Sequence, residues 1–344
     1  MSGDRSESKV DEPLGTPVKS ADAKIAVWIL LAVLAGPAAA GQVLEDAPTR
    51  APRPGASATL PLSPEQRVKL EQAMKAQDYA SAEKLLVAEI EQKANSPELL
   101  KFLASIFFLD RKYLNTSVAL KKAEALSPLD NQSRFTLALA YIILNHRDWA
   151  RPELEKLAKS DPQNVLYPYW LGRLDYDAMQ FTSAVANFRQ ALALDPNFMK
   201  TYDNLGLCYE ALGKYDEAIN IYQEAIRRNR EKLPNSPWPP LNLGTLLIKL
   251  GRLEEAEGVL RESLRYDPQS PQAHYQMGLL LEKQKKDEAA ITELRQAATL
   301  NPTYAEPHYV LGRIYQRRGD KQNAAAAWAT FQKLKLENPK ERPH

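Results

Sequence analysis

The residues whose types could support catalysis or metal binding lack the spacing that either would need. His274 and His308 lie 34 residues apart, with neither a His-x-x-x-His pair nor an acidic cluster at ligand spacing beside them. The single cysteine, Cys208, sits between Leu207 and Tyr209 in an amphipathic run, which indicates a buried, inert thiol. The sequence has no Gly-x-Ser-x-Gly segment. We therefore expect a protein that is not an enzyme, with no cofactor and no metal site.

A phosphate-binding loop is excluded on the same grounds. Six residues separate Gly206 from Gly213, and Tyr215 follows Gly213-Lys214 where such a loop has Ser or Thr. The segment also has the periodicity of a helix, so phosphate binding is rejected.

The elements that position all these residues follow a repeat. Small residues recur at intervals of 34, with one step of 38, at Ala104, Ala138, Gly172, Gly206, Gly244, Gly278 and Gly312. A second series follows twelve residues later, at Thr116, Ala150, Ala184, Ala218, Ala256, Ala290 and Ala324, with Ala82 in an earlier and weaker block. Eight blocks result: 63–96, 97–130, 131–164, 165–198, 199–236, 237–270, 271–304 and 305–338. The sequence therefore predicts one repeat array over residues 63–338.

Each block has the pattern of two amphipathic helices. Apolar residues recur at three and four on both sides of Gly213, which breaks the pattern between them. Prolines such as Pro128 and Pro196 predict that the second helix ends just before them. We expect Gly206 to face Ala218 where two backbones approach closely, and a leucine at Gly206 to cost roughly 1–3 kcal/mol.

These residues resemble the tetratricopeptide repeat family. Nine family places in one block are filled by Tyr202, Leu205, Gly206, Tyr209, Gly213, Tyr215, Ala218, Tyr222 and Ala225. The blocks from Pro97 and Asn131 fit more loosely, and the block at Ser63 keeps only Tyr79 and Ala82 clearly. The resemblance covers about four-fifths of the chain. It implies an all-α, right-handed superhelical solenoid of antiparallel helix pairs, whose concave groove binds an extended peptide or a partner helix.

The family presents groove residues at the second, fifth, sixth, ninth, twelfth and thirteenth places of a block. Carried onto this sequence, the resemblance implies a partner-binding groove that includes Phe135, Tyr169, Arg173, Tyr176, Asn204, Trp238, Asn242, Tyr275, Tyr309, Arg313 and Arg317. Aromatic and arginine side chains concentrate binding energy at interfaces. The alternative for any single aromatic residue is packing between neighbouring helices.

Two asparagines narrow the expected ligand. In relatives that bind extended peptides, an asparagine at the sixth place bonds the ligand backbone, and Asn204 and Asn242 occupy it in consecutive blocks. The paired lysines and asparagines of the carboxylate clamp in chaperone-binding relatives are missing, so a chaperone-tail receptor is disfavoured.

Two further segments of the sequence have more than one possible structural interpretation. The four extra residues of the long step lie in Arg227–Pro240, which forms either a basic loop on the binding face or a longer helix with a proline-stiffened connection. At the other end the array lacks a polar capping helix, so Trp328 and Phe331 are expected near an open end, where a partner chain or a second copy could bind.

Composition argues against nucleic acid as a partner, and the N-terminal residues indicate the cellular compartment. The chain has 45 basic and 43 acidic residues, well mixed, so we expect no nucleic-acid binding. Residues 1–24 form a polar leader, residues 25–40 are apolar and end in an Ala-x-Ala pattern, and residues 41–62 form a linker rich in proline and alanine. The apolar segment is either a cleaved signal peptide or, counted through residue 41, an uncleaved membrane anchor. Residues 339–344 are a polar tail.

These features together predict an exported, periplasmic or extracytoplasmic interaction scaffold. The alternative location is the cytoplasmic membrane, with residues 25–41 as the anchor. The alternative function is a regulatory or substrate-recruiting subunit of an envelope enzyme complex. The partner's identity is not encoded in fold or composition.

Overall fold

The computed structural model describes residues 60–93, 96–231 and 235–337. Within these ranges all regular structure is α-helical, apart from turns and bends. The predicted all-α class is thereby confirmed. The predictions for residues 1–24, 25–40 and 339–344, and most of those for 41–62, fall outside the described residues.

The described ranges contain sixteen helices in eight consecutive pairs. They are α1 (Pro64–Lys75), α2 (Tyr79–Gln92), α3 (Pro97–Leu109), α4 (Tyr113–Leu126), α5 (Asn131–Ile143), α6 (Arg147–Ser160), α7 (Leu166–Asp177), α8 (Phe181–Leu194), α9 (Met199–Ala211), α10 (Tyr215–Arg230), α11 (Trp238–Lys249), α12 (Leu253–Tyr266), α13 (Pro271–Lys283), α14 (Asp287–Leu300), α15 (Glu306–Arg317) and α16 (Lys321–Glu337). The odd-numbered helices are the first helices of the pairs, and the even-numbered helices are the second.

The turn inside each pair shows the repeat in the backbone. Three residues join the two helices, and the middle one has a left-handed conformation in every pair: Gln77, Arg111, Asn145, Met179, Gly213, Gly251, Lys285 and Gly319. Five of the eight have a side chain, although this conformation costs an L-residue roughly 1–2 kcal/mol. The turn geometry is therefore imposed by the packing of the two helices and not by glycine alone.

Local sequence fixes where the helices begin and end. The Ser63 hydroxyl accepts from the Gln66 backbone N–H at 3.2 Å, and the Gln66 side chain accepts from the Ser63 backbone, which together make a capping box. Asp130 caps α5 in the same position, through the N–H of Ser133. At the other ends, α4 and α8 stop two residues before Pro128 and Pro196, as predicted.

Five helix pairs, all in unit 2, close at a glycine of the first helix, but the expected partner was wrong. A Cβ at Gly206 would lie 2.2 Å from the Tyr222 ring, so Gly206 faces Tyr222 and not Ala218. The same distance of sixteen residues pairs Gly172 with Phe188, Gly244 with Leu260, Gly278 with Leu294 and Gly312 with Trp328. The missing side chain makes room for a large buried one, and the small residue twelve positions on is a separate part of the core.

The described helices fall into two compact units. Unit 1 ends at Glu153 and holds α1 to α5 with the first half of α6, and unit 2 begins at Leu154 and holds the remaining helices. The boundary lies inside the predicted block 131–164, next to Pro152, which removes a backbone donor from the interior of α6.

Candidate ligand groove

The first helices of unit 2 form a concave wall. Each of α7, α9, α11 and α13 contacts the next first helix in the chain, whereas the second helices α8, α10, α12, α14 and α16 make no such contact with one another in the described part of unit 2. Because the first helices approach more closely, the stack bends toward them. The candidate groove is the exposed face of α7, α9, α11, α13 and α15.

Two of the predicted groove residues belong to the core instead. Tyr169 is 1% exposed, and its ring meets those of Phe188 at 6.0 Å and Phe198 at 5.0 Å. Phe135, in unit 1, is 8% exposed. Both rings are buried because the fifth place of their helices turns inward and the aromatic ring fills the space between helices.

The predicted residues of the last two repeats lie together around an acid. The Arg313 guanidinium donates to both carboxylate oxygens of Glu282, at 3.0 and 2.6 Å. Arg317 donates to Glu282 at 3.1 Å and to Asp287 at 2.5 Å. Arg313 also lies over the Tyr309 ring, with its Cζ 5.9 Å from the centroid. The two predicted groove arginines therefore belong to a neutralised network that fixes α15 on α13.

Tyr275 and Tyr309 keep part of their surface open beside this network. Burial raises the pKa of Tyr275. The charges of Glu306 and Glu282 also raise this pKa, and the charge of Arg313 lowers it. Its ring packs against Tyr304 at 5.2 Å. Tyr309 is 43% exposed and packs its ring against Trp328 at 5.1 Å and Phe331 at 5.3 Å. Both tyrosines thus combine packing with an accessible edge.

The predicted asparagines already donate hydrogen bonds within the chain. Asn204 Nδ2 donates to the Lys200 carbonyl of its own helix at 2.8 Å. Asn242 Nδ2 donates to Asp203 Oδ1 at 3.1 Å, which links α11 to α9. Each amide keeps a second N–H and its oxygen for a ligand.

The other three predicted positions differ in access. Arg173 is half-buried and donates to the Tyr169 hydroxyl at 3.4 Å. Tyr176 is half-buried, with its ring 5.6 Å from that of Phe181. Trp238, in the first turn of α11, is 50% exposed.

Three acids of the groove were not among the predicted residues. Asp203, Glu210 and Glu282 stand at the fifth, twelfth and twelfth places of their blocks, where the same family positions would have found them. Burial raises the pKa of Asp203 to about 7, against which the Asn242 bond acts. Burial also raises the pKa of Glu210, which accepts from the Tyr222 hydroxyl at 2.9 Å.

Asp203 marks the floor of the groove. Its side chain keeps some accessible surface, yet desolvation by the surrounding protein is strong enough to bring its pKa near neutrality. A carboxylate at the bottom of a concave surface combines partial exposure with strong desolvation in this way.

The Arg227–Pro240 segment fits the second of its two interpretations. Helix α10 runs to Arg230 and has 16 residues. Buried Asn229 donates to the Ser236 carbonyl and accepts from the Ser236 N–H, both at 2.8 Å, and so fastens the connection. Arg227 pairs with Glu224, and Arg230 pairs with Glu262, each at 2.6 Å. Among the described residues of the segment, 227–230 extend helix α10, and Arg227 and Arg230 are held by acids of the second helices.

The histidines and the cysteine have structural surroundings. His274 Nδ1 lies 2.6 Å from Glu293 Oε2, which raises the pKa of the imidazole, and burial lowers the pKa of His308. Cys208 is buried, as expected, and burial raises its pKa to about 12. No group of metal-ligating side chains occurs among the described residues. In the same part of the chain no helix is both long and apolar enough for a membrane span.

Comparison with known proteins follows the same repeats. Tetratricopeptide repeat models match residues 169–234 and 211–280, and a model described as TPR repeat matches residues 283–319. No curated protein matched the sequence.

Several solved structures are similar to this chain at low identity. The crystal structure of PilW, a widely conserved type IV pilus biogenesis factor, is 22% identical, with a TM-score of 0.53 over 61% of this chain and 94% of PilW. MamA from Desulfovibrio magneticus RS-1 is 19% identical, with a TM-score of 0.44 over 50% of this chain and 96% of that one. YrrB, described as a TPR protein with an unusual peptide-binding site, is 19% identical, with a TM-score of 0.42 over 53% and 92%.

At this identity the likeness to PilW speaks for the fold alone. Together with the three matching models and the stacked helix pairs, it gives one conclusion. Residues 169–280 and 283–319 of the chain are tetratricopeptide repeats.

Proposed function

We propose that the protein is a non-enzymatic interaction scaffold that binds an extended segment of a partner protein in the groove of unit 2. Tetratricopeptide repeat proteins are generally scaffolds of this kind. The observation that carries the proposal is the row of partly exposed polar and aromatic side chains along adjacent first helices: Tyr176, Asn204, Asn242, Tyr275 and Tyr309.

The spacing of these side chains favours an extended ligand. They come from α7, α9, α11, α13 and α15, so a ligand that meets all of them must cross five helices in succession. An extended chain offers backbone donors and acceptors along its whole length, which the free N–H and oxygen of each asparagine amide can bond. A compact small molecule would contact only one or two of these helices.

Export remains part of the proposal and rests on residues 25–40. We propose that the scaffold works on the extracytoplasmic side of a bacterial membrane, either after signal cleavage or anchored by residues 25–41. The mass of the mature chain tests this, because cleavage after residue 40 removes the apolar segment and an anchor retains it. A regulatory or recruiting subunit of an envelope enzyme would use the same groove and differ only in its partner.

Site-specific crosslinking tests the groove. A photoreactive amino acid at Asn204 should crosslink a discrete partner from native membranes and extracts, whereas the same group at exposed Glu217 on the second helix α10 should not. The triple variant Asn204→Ala, Asn242→Ala and Arg313→Ala should lose that partner. A matched variant on second helices, Gln190→Ala, Glu217→Ala and Gln296→Ala, should keep it. If the partner instead crosslinks from position 217 and survives the groove variant, the groove is not the binding surface.

A further inference from the structure

The side chain at the fourth place of a repeat bonds the first helix to a neighbouring segment in more than one block. In α5, the Arg134 guanidinium forms an ion pair with Glu153, 19 residues further on in the second helix. In α9, the Tyr202 hydroxyl donates to the carbonyl of Pro196, six residues earlier in the connection from the preceding repeat, at 2.9 Å. Both donors keep their protons at neutral pH, so neither bond depends on pH there.

His274 holds the same place in α13 and faces both kinds of partner at once. Its Nδ1 lies 2.6 Å from Oε2 of Glu293, 19 residues further on, and its Nε2 lies 3.1 Å from the carbonyl oxygen of Pro268, six residues earlier. A carboxylate and a carbonyl only accept hydrogen bonds, and a neutral imidazole has a single N–H. Both contacts are therefore hydrogen bonds only when the ring carries two protons.

Loss of one proton breaks one of these bonds, whichever nitrogen loses it. The bare nitrogen then presents its lone pair to an acceptor oxygen, which is unfavourable in a partly buried place. The two bonds join three segments of the repeat: α13, α14 and the connection at residues 267–270. Protonation of the ring thus decides whether all three are held together.

The charged groups that act on His274 favour the protonated ring. The bond to Glu293 of α14 raises the pKa of the imidazole most, and the bond to Pro268 and the negative charge of Asp267 raise it further. Burial acts in the opposite direction, and the pKa is raised on balance.

The other helices that pack on α13 hold their charges elsewhere. Helix α11 has one charged residue, Lys249, at the end far from the imidazole. Arg265, in the last turn of α12, acts on Glu262 of its own helix. Glu306, in the first turn of α15, is bonded to Lys335 at 2.6 Å.

His308 holds the fourth place of the next repeat and provides an internal comparison. The residue 19 positions further on is Ala327 and not an acid. Burial lowers the pKa of His308, and no hydrogen bond or charge acts on its ring among the described residues. Two histidines at the same place of consecutive repeats therefore differ in their partners, and only His274 has acceptors for two protons.

We propose that His274 is a proton-dependent clasp: the doubly protonated ring fastens α13 to α14 and to residues 267–270, and loss of one proton releases this corner of the repeat. Because the ring is protonated in the fastened state, the fastening is present in acid and is lost as pH rises. Tyr275 of the candidate groove is the next residue in the chain, so release should also weaken ligand contact there. That last effect rests on the proposed function, whereas the clasp does not.

Hydrogen exchange measured by mass spectrometry on the full chain in mild detergent tests the clasp. After correction for intrinsic exchange rates, the protection of residues 266–277 should fall about tenfold between pH 5.5 and pH 8. In Glu293→Gln, the amide can donate to a neutral ring, so the protection should change by no more than about twofold. His274→Arg places a permanent cation there, as Arg134 does in α5, and should also remove the pH dependence.

The matched control is the next histidine. His308→Gln should leave the pH profile of residues 266–277 unchanged, and residues 300–311 should show no such fall in the wild type. Equal protection of residues 266–277 at both pH values in the wild type, or the same fall in Glu293→Gln, would overturn the clasp.

Photocrosslinking from position 275 at the same two pH values separates the clasp from the scaffold function. Stronger capture of a partner at pH 5.5 than at pH 8, lost in Glu293→Gln, would connect the clasp to the groove. Equal capture at both values, with exchange still dependent on pH, would overturn only the effect on the ligand. Capture at neither value would count against the groove as the binding surface and leave the clasp in place.

Discussion

The neutral-range pKa of Asp203 predicts a pH-dependent stability that one substitution should remove. Burial raises the pKa of this carboxyl in the folded chain to about 7 from the ordinary value of 3.8. The folded state therefore holds its proton over a pH range in which the unfolded chain has lost it. The contribution of Asp203 to stability is full below about pH 4 and is lost as pH rises to about 7.

The size of the effect follows from these two values. The difference between 3.8 and 7 corresponds to about 4 kcal/mol, at 1.36 kcal/mol for each pH unit. Because the Asp203 side chain is partly exposed, solvent screening reduces this to about 2 kcal/mol. Roughly half of it should be lost between pH 5 and pH 8.

Asp203→Asn removes the titration and keeps an oxygen for Asn242. We expect the variant to be more stable than the wild type by about 2 kcal/mol at pH 8, with the difference shrinking by about 1 kcal/mol at pH 5. Urea unfolding followed by circular dichroism at 222 nm, repeated at pH 5, 6, 7 and 8, measures it. Subtracting one curve from the other cancels the other titrating groups.

The control and the refuting result are both clear. Glu217→Gln removes an exposed carboxyl of α10 and should leave the pH profile unchanged. If Asp203→Asn and the wild type run parallel from pH 5 to pH 8, Asp203 is ionised throughout. The groove floor would then be solvated, and the argument from burial would fail.

Three other predictions concern the packing at a glycine, the geometry of a turn and a histidine–glutamate contact. Gly206→Ala should destabilise the chain by roughly 1–3 kcal/mol, because its Cβ would meet the buried Tyr222 ring. Gly258→Ala in α12 should stabilise the chain by about 0.5–1 kcal/mol, because the space around Gly258 is open. Similar melting temperatures for the two variants would contradict this packing. Met179→Gly should stabilise by up to about 1 kcal/mol in thermal unfolding, because Met179 has a φ of 58° and is 75% exposed, and a loss of stability would show that its side chain packs. His274→Gln should lower the free energy of unfolding by roughly 1 kcal/mol more at pH 5.5 than at pH 8. The bond to Glu293 raises the imidazole pKa, so the stabilisation by His274 is present at low pH and is lost as pH rises. An equal loss at both pH values would mean that the histidine is neutral at both.

The fold could be predicted from the sequence because its signal recurs. Small residues every 34 positions and prolines after the second helices are repeated constraints, so errors at one block are corrected by the next. The left-handed turn shows the limit of that signal. Gln77 and Arg111 adopt the same left-handed backbone conformation as Gly213, and their residue types do not predict it. The position had to be inferred from the period and not from the residue.

The groove was predicted only in part, for a physical reason. Family positions state which face of a helix a residue occupies, but exposure depends on how large the neighbouring side chains are. Tyr169 is covered because Phe188 and Phe198 close over it, whereas Tyr309 at the same fifth place keeps an open edge. Only the packed structure distinguishes the two.

Charge was predicted less well than shape, because counting basic residues does not count their partners. Arg313 and Arg317 were predicted to face a ligand, yet both form ion pairs with Glu282 and Asp287. Asp203, overlooked beside Asn204, has no such partner among the described residues. A net charge describes a chain, whereas recognition depends on the charges that folding leaves unpaired in a desolvated place.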